Sequence, residues 1–169
     1  MKLSSSQQGV GMVEVLVALV ILAIGALGYV MLQVRALEAT AESTQRIQAI
    51  NIARDLAERV RANRMGWASY QAELGATGTQ TRAAATPDCA TTICTASQLS
   101  DFDVDELATY ATQYGMRLGM SACPGTSNRQ CLFVAWGDTL AQNSTTNSSS
   151  CTNGTSYRAN SSCVMMEVY

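Results

Sequence analysis

The pattern of apolar and polar positions divides the chain into three stretches. Residues 15–32 (VLVALVILAIGALGYVML) carry no charge. Eighteen helical residues rise about 27 Å, close to the roughly 30 Å hydrocarbon core of a bilayer, so this run predicts a membrane-spanning helix. From Gln33 to Asn63 there is neither Pro nor Gly. Ala49, Ile52, Leu56 and Val60 repeat along one stripe, with Ile50, Ala53 and Ala57 beside it. The helix is therefore expected to continue, apolar all round at first and one-sided later. Acid-first pairs Glu42–Arg46 and Asp55–Arg59 at i,i+4, and Glu58–Arg61 at i,i+3, favour it further. Running from Val10 to Asn63 it would be roughly 80 Å long.

The remainder reads as a small α+β head. Residues 65–100, rich in Ala, Thr, Gly and Gln, read mostly as loop, with one helical turn around Trp67–Leu74. Asp103-Val104-Asp105-Glu106 reads as a capping box with Asp in the Ser/Thr position. Leu107, Ala111, Tyr114 and Leu118 then repeat at i, i+4, i+7 and i+11, predicting a core helix. Cys131-Leu-Phe-Val-Ala-Trp136 predicts a strand closed by Gly137-Asp138, and Cys163–Tyr169 a second. Between them, at about 139–156, lies a polar Ser/Thr/Asn loop. Its sequons at Asn143, Asn147 and Asn153, and the one at Asn160, are what such a composition produces by itself.

Composition narrows the chemistry. The chain has 169 residues, 11 Lys+Arg, 13 Asp+Glu, 6 Cys and no His. Without His there is no Ser-His-Asp or Cys-His catalysis and no His-ligated metal. No phosphate loop or ligand cluster is present, so the reading is of a protein that is not an enzyme and takes no cofactor. Residues 33–64 hold six Arg against four acids, and residues 65–169 four Arg against eight acids. An acidic head argues against nucleic acid as a partner. Asp101, Asp103 and Asp105 alternate like calcium ligands, but Glu106 stands where such a loop needs Gly and Thr112 where it needs Glu. Helix capping is the stronger reading. Arg59, Arg61 and Arg64 read as cations against a helix C-terminal dipole, with a partner-binding patch as the other reading. Zinc would need repeated short Cys pairs, and only Cys89-x₄-Cys94 comes close.

The N-terminus sets the compartment. Lys2 is the only Lys and favours a cytoplasmic N-terminus, which puts the head on the oxidising side. No A-x-A pattern follows the apolar run, so an ordinary secretory signal does not fit. Six Cys in an exported head read as three disulfides, with 15 connectivities open. Local pairing is favoured: Cys89–Cys94, Cys123–Cys131 and Cys151–Cys163, each contributing roughly 2–3 kcal/mol. Gly25 and Gly28 inside the apolar run admit two readings, close helix packing or a place where the helix loosens on leaving lipid.

Glu14 is the anomaly, a carboxylate at the start of an apolar helix. The leader MKLSSSQQG, the apolar helix and this Glu together resemble the type IV pilins and their pseudopilin relatives. In that family a short leader ends in Gly, and Glu is the fifth residue after the cut. A cut after Gly9 makes Val10 the first residue and Glu14 the fifth, whereas a cut after Gly11 breaks the spacing. The resemblance implies a prepilin peptidase that cleaves at Gly9–Val10 and N-methylates Val10. It implies that Glu14 acts in assembly, paired with a buried cation. Val10 departs from the usual Phe or Met, and Met31 stands where many major pilins have a helix-kinking Pro.

The closer resemblance is to PilV-type minor pilins, carried by MVEVLVALVILAIGALG, DLAERVRANR, PDCATTIC and CLFVAWGD; Leu107 stands where that group leads one to expect Trp. It implies an α+β pilin-like fold, a long N-terminal helix packed on a small antiparallel sheet with a disulfide-stapled head. The organisation is then leader 1–9, transmembrane and assembly helix 10–32, amphipathic helix 33–64 and periplasmic head 65–169. The implied function is a structural subunit that primes type IV pilus assembly and sits at or near the filament tip. The alternatives are a minor pseudopilin of a type II secretion system or a surface-binding tip module. Implied partners are other minor pilins, the major pilin, the prepilin peptidase, the inner membrane and a tip adhesin. The implied location is the inner membrane before assembly and the surface filament afterwards.

Overall fold

The computed structural model describes residues 11–75, 87–126 and 128–168. The chain divides into two compact units between Ser43 and Thr44. Helix α1 is Met12–Ala62. In the first unit its side chains are exposed throughout. In the second unit its buried residues are Ala49, Ile52, Ala53, Leu56, Ala57 and Val60. They repeat every three to four residues because one face of a 3.6-residue helix meets the core.

After α1 a single 3-10 turn, Arg64–Gly66, leads into α2, Trp67–Gly75. Helix α3 is Ala96–Gln113, and the strands are β1 (Met116–Ala122), β2 (Gln130–Trp136), β3 (Leu140–Asn143), β4 (Ser150–Thr152) and β5 (Cys163–Glu167). β1, β2 and β5 form one antiparallel sheet in the order β1-β2-β5, while β3 and β4 pair in parallel. A long N-terminal helix packed on a small antiparallel sheet is the pilin-like α+β fold.

Alternation along the strands sorts residues to two faces. Met116, Leu118 and Met120 of β1 and Leu132, Val134 and Trp136 of β2 join the α1 stripe, Val104, Leu107, Ala108 and Ala111 in one core. Register places Leu118 opposite Val134 and Met120 opposite Leu132. The other face of β2, Cys131, Phe133 and Ala135, packs with Ala141, Cys151 and Cys163 in a second cluster. β2 is therefore buried on both faces, which is why its sequence runs apolar without alternating. Three disulfides join Cys89 to Cys94, Cys123 to Cys131 and Cys151 to Cys163.

Three expectations are corrected. α3 begins well before Asp103: Thr95 is its N-cap, and Thr95 and Gln98 exchange both bonds of a capping box. The Asp103 run lies inside the helix and caps nothing. α3 also stops at Gln113, because Gly115 adopts a positive φ of 66° and turns the chain into β1. Leu118 is thus a strand residue whose spacing from Leu107 only imitated a helix. The polar loop at 139–156 contains β3 and β4. β3 crosses β1 so closely that a Cβ on Gly119 would meet the Ala141 carbonyl oxygen at 1.9 Å, so only Gly fits there.

Candidate assembly site

The first unit presents an apolar cylinder with an acid near its start. Glu14 lies in the first turn of α1, where its backbone N–H donates to the Gly11 carbonyl at 2.9 Å. An acid there is favoured by the helix dipole. Ala18 and Leu22 follow Glu14 at i+4 and i+8, with Val15 and Leu19 alongside. Val13, Leu16, Ile21, Leu22, Ile24, Leu27 and Leu32 are all exposed. The helix contains a stretch long and apolar enough to cross a membrane. Each Å² of such surface left in water costs about 25 cal/mol. The surface is therefore suited to lipid or to other apolar helices. Gly25 and Gly28 have nothing within 4 Å of an added Cβ. The chain's own packing does not require Gly at either place. Gly9 and Val10 lie outside the described residues.

In the second unit the end of α1 is locked to α3. The Arg59 guanidinium donates to Asp55 at 3.0 Å, to Asp103 at 2.9 Å and to Glu106 at 2.6 Å. Tyr70, fully buried on α2, donates its hydroxyl to the other Asp103 oxygen. Asn63 donates to the Ala96 carbonyl at 2.7 Å and to the Ser100 hydroxyl at 3.2 Å. Ser100 in turn donates to the Gly66 carbonyl at 3.1 Å. A Cβ on Gly66 would meet the Ser100 hydroxyl at 2.0 Å, so this crossing also needs Gly.

Arg59 does lie in the last turn of α1, as expected of a cation near the helix C-terminus, and in addition it cross-links two helices, with Asp103 as its buried partner. Asp101, Asp103 and Asp105 fall on α3, where successive side chains fan around an axis instead of lining a loop. Arg61 bonds Glu58 at 3.0 Å, the expected i,i+3 pair, and also reaches the Glu167 carbonyl at 3.3 Å. Among the described residues no group of three or more His, Cys, Asp or Glu is placed to hold a metal.

Burial lowers the affinity of Arg59 for its proton, but its bonds to Asp55, Glu106 and Asp103 outweigh this and hold it above the ordinary range. Burial, then the bond to Asp103, pushes the Tyr70 hydroxyl above its ordinary value near 10. Above about pH 10 the unfolded chain loses the Tyr70 proton while the folded chain keeps it. The folded state then binds more protons, so stability falls as pH rises. Tyr70→Phe should flatten this alkaline limb of an unfolding-versus-pH series. Some slope will remain, because Tyr110 is also raised by its hydrogen bond with Tyr114. An unchanged slope would show that Tyr70 ionises as freely folded as unfolded.

The lock was largely hidden in the sequence. Thr95-x-x-Gln98 is a standard capping signal that would have started α3 correctly. Nothing local marks Tyr70, Asn63 or Ser100 as its other members, since they meet only in the fold.

The model of the prokaryotic N-terminal methylation motif matches residues 4–30. A model described as type IV pilin Tt1218 matches residues 31–105, from the apolar helix through α2 into α3. Together the two matches take in residues 4–105, and over that span the chain is similar to the type IV pilins. No curated protein and no solved structure matches it. The two matches support a pilin role and imply processing by a prepilin peptidase and assembly with other pilins. The exposed apolar helix fits an inner-membrane anchor that later lies in the pilus. The Tt1218 match ends at Asp105 and so takes in Arg59, Asn63, Gly66, Tyr70, Ser100 and Asp103 of the lock and leaves out Glu106.

Proposed function

We propose that this chain is a PilV-type minor pilin that primes type IV pilus assembly and is incorporated at or near the filament tip. The observation that carries the assembly role is the run from Val13 to Leu32, exposed along α1 and headed by Glu14. Such a surface is stable only in lipid or against like helices. The minor-pilin reading is supported by its resemblance stretches. DLAERVRANR holds the Arg59 lock, PDCATTIC is closed by Cys89–Cys94, and CLFVAWGD is the central strand. Before assembly the N-terminus lies in the cytoplasm and residues 65–169 in the periplasm.

A priming subunit acts while lateral helix contacts are still few, so its loss lowers filament number and leaves the packing of finished filaments alone. Deletion should give few or no surface pili, with major pilin retained in the inner membrane. Blocking retraction should restore some, because slow nucleation is then no longer outrun by disassembly. Unchanged pilus number with failed secretion of folded proteins would replace this reading by the pseudopilin one.

Maturation is proposed at Gly9–Val10, the cut that leaves Glu14 fifth. The intact mass of the mature chain should show nine residues lost and one methyl gained. A chain that begins at Met12, or is uncut, would exclude this site.

A further inference from the structure

The sequence contains a single Asn-Gly pair, Asn153–Gly154. It follows β4, inside the loop that the Cys151–Cys163 disulfide closes. Asn before Gly is the pairing most open to attack by the main chain on a side-chain amide, because no side chain hinders the Gly nitrogen and its backbone turns freely. The fold nevertheless asks for both residues. Gly154 has a positive φ of 96°, and a Cβ on it would meet the Thr145 methyl at 2.8 Å. Its carbonyl accepts from the Gly125 N–H at 2.7 Å. The Asn153 carboxamide oxygen accepts from the Thr155 N–H at 3.1 Å and the Ser156 N–H at 2.9 Å, a turn that suits Asn or Asp. It also accepts from the Thr155 hydroxyl at 3.0 Å and the Ser156 hydroxyl at 3.4 Å.

The two reacting groups are held in opposite ways. Donors around the Asn153 oxygen draw charge onto it, as donors do at an oxyanion, and leave Cγ more electrophilic. The Gly154 nitrogen is tied down instead. Its N–H donates to Asn143 Oδ1 at 2.7 Å, and a carboxamide oxygen holds that proton in place without taking it. Asn143 is itself fixed from three sides. The same oxygen accepts from the hydroxyl of Thr152, a fully buried residue, at 2.8 Å. Its Nδ2 donates to the Ala122 carbonyl at 3.1 Å, and its backbone N–H donates to the Ser121 hydroxyl at 3.1 Å. The restraint on Gly154 thus runs back through β3 and β4 to β1.

We propose that Asn153 is a latent modification site, held back by Asn143 and converted when this turn opens. In the conversion the Gly154 nitrogen gives up its proton and bonds to Asn153 Cγ. The Cγ–Nδ2 bond breaks, and ammonia leaves with a proton in exchange for the one lost. Water then opens the resulting succinimide at either carbonyl, leaving Asp or isoaspartate at 153. Asn153 is exposed, so water is at hand. Both products add a negative charge to residues 65–169, which carry eight acids against four Arg. Isoaspartate also lengthens the backbone by one methylene where Gly154 bonds Asn143 and Gly125. Conversion therefore makes an opening of the turn permanent. The site depends neither on priming nor on tip position.

Full-length protein in detergent, disulfides intact, should be kept in warm, mildly alkaline buffer. Samples are then reduced, digested and mapped by mass spectrometry for the amide-to-acid change and for isoaspartate at 153. The same protein, reduced and unfolded in urea, sets the unrestrained rate. Folded wild type should convert slower than this by on the order of tenfold or more, since reaction waits on local opening. Folded Asn143→Ala should convert roughly fivefold faster than folded wild type, while the two unfolded chains convert alike. If that variant does not fold, Thr152→Val serves, since it keeps the buried shape, removes one tie on Asn143 and should also speed conversion. Asp103→Ala, which weakens the unit through another network, should leave the rate at Asn153 near that of wild type. Equal rates in folded and unfolded wild type would overturn the proposal. So would a folded Asn143→Ala that converts no faster than wild type, or an equal acceleration by Asp103→Ala.

Discussion

Glu14→Ala will yield a pilin that is processed and held in the membrane but absent from filaments. Removing a carboxylate from the start of an apolar helix removes a cost of insertion, so membrane retention stays equal or improves. Assembly responds in the opposite direction. The partner expected for Glu14 is the N-terminal amine of a neighbouring subunit, which then lies unpaired among apolar helices. An unpaired buried charge costs about 3–5 kcal/mol, equivalent to a hundredfold or more in occupancy. Fractionation of cells carrying the variant should find it in the inner membrane, and sheared pili should lack it. Recovery in pili at the normal level would show that the carboxylate has no partner there. The same fractions separate this result from misfolding, because a misfolded head would be degraded before either pool was filled.

Asp103→Ala will be among the most destabilising single changes in the second unit. Asp103 is 7% exposed and receives bonds from both Arg59 and Tyr70. Arg59 keeps Asp55 and Glu106 when Asp103 is lost, so its charge stays compensated. The Tyr70 hydroxyl loses its carboxylate acceptor and keeps only the neutral Asn63 and Ser100 side chains beside it. The lost charge-assisted bonds of a buried donor and a small void together cost about 3 kcal/mol. Glu106 also binds Arg59, but its side chain is 54% exposed, so Glu106→Ala should cost less than about 1 kcal/mol. Denaturant unfolding of the three proteins in one detergent measures both. If the two variants unfold at the same midpoint, the buried half of the network adds nothing.

How much of this was legible depended on the range over which each signal acts. The α1 stripe, Asp55–Arg59 and Glu58–Arg61 are local patterns of a helix, and the structure has all three. β2 was legible because a strand buried on both faces is a short uninterrupted apolar run. α3 was misplaced for a different reason. Its true cap, Thr95, follows Ala- and Thr-rich residues that resemble a loop, while Asp103 offered a more conspicuous acid-rich imitation. Gly115 ends that helix through its backbone conformation, and a spacing count passes over it to Leu118. β3 and β4 are short and polar and are held partly by side-chain bonds. Asn143 accepts from Thr152 and from the Gly154 N–H, which no hydropathy pattern records. Glu14 stood out through a local contradiction, a charge in an apolar run. The Arg59–Asp103–Tyr70 network did not, because its members come from three helices.

The three disulfides and the sheet impose different timetables on export. The paired cysteines lie only 5, 8 and 12 positions apart. Each bridge can close as soon as a short piece of chain has emerged into an oxidising space, and each Cys meets its correct partner before the next pair arrives. Sequential emergence thus selects one of the fifteen connectivities without a search among scrambled forms. The sheet cannot keep that pace. Its central strand, β2, takes β1 on one side and β5 on the other, and β5 arrives about 30 residues later. Until Cys163–Glu167 emerges, one edge of β2 remains open. On the proposed topology, with residues 65–169 in the periplasm, the emerging chain would be oxidised at its first two bridges while still unfinished as a sheet. The last bridge, Cys151–Cys163, closes as the first residue of β5 becomes available.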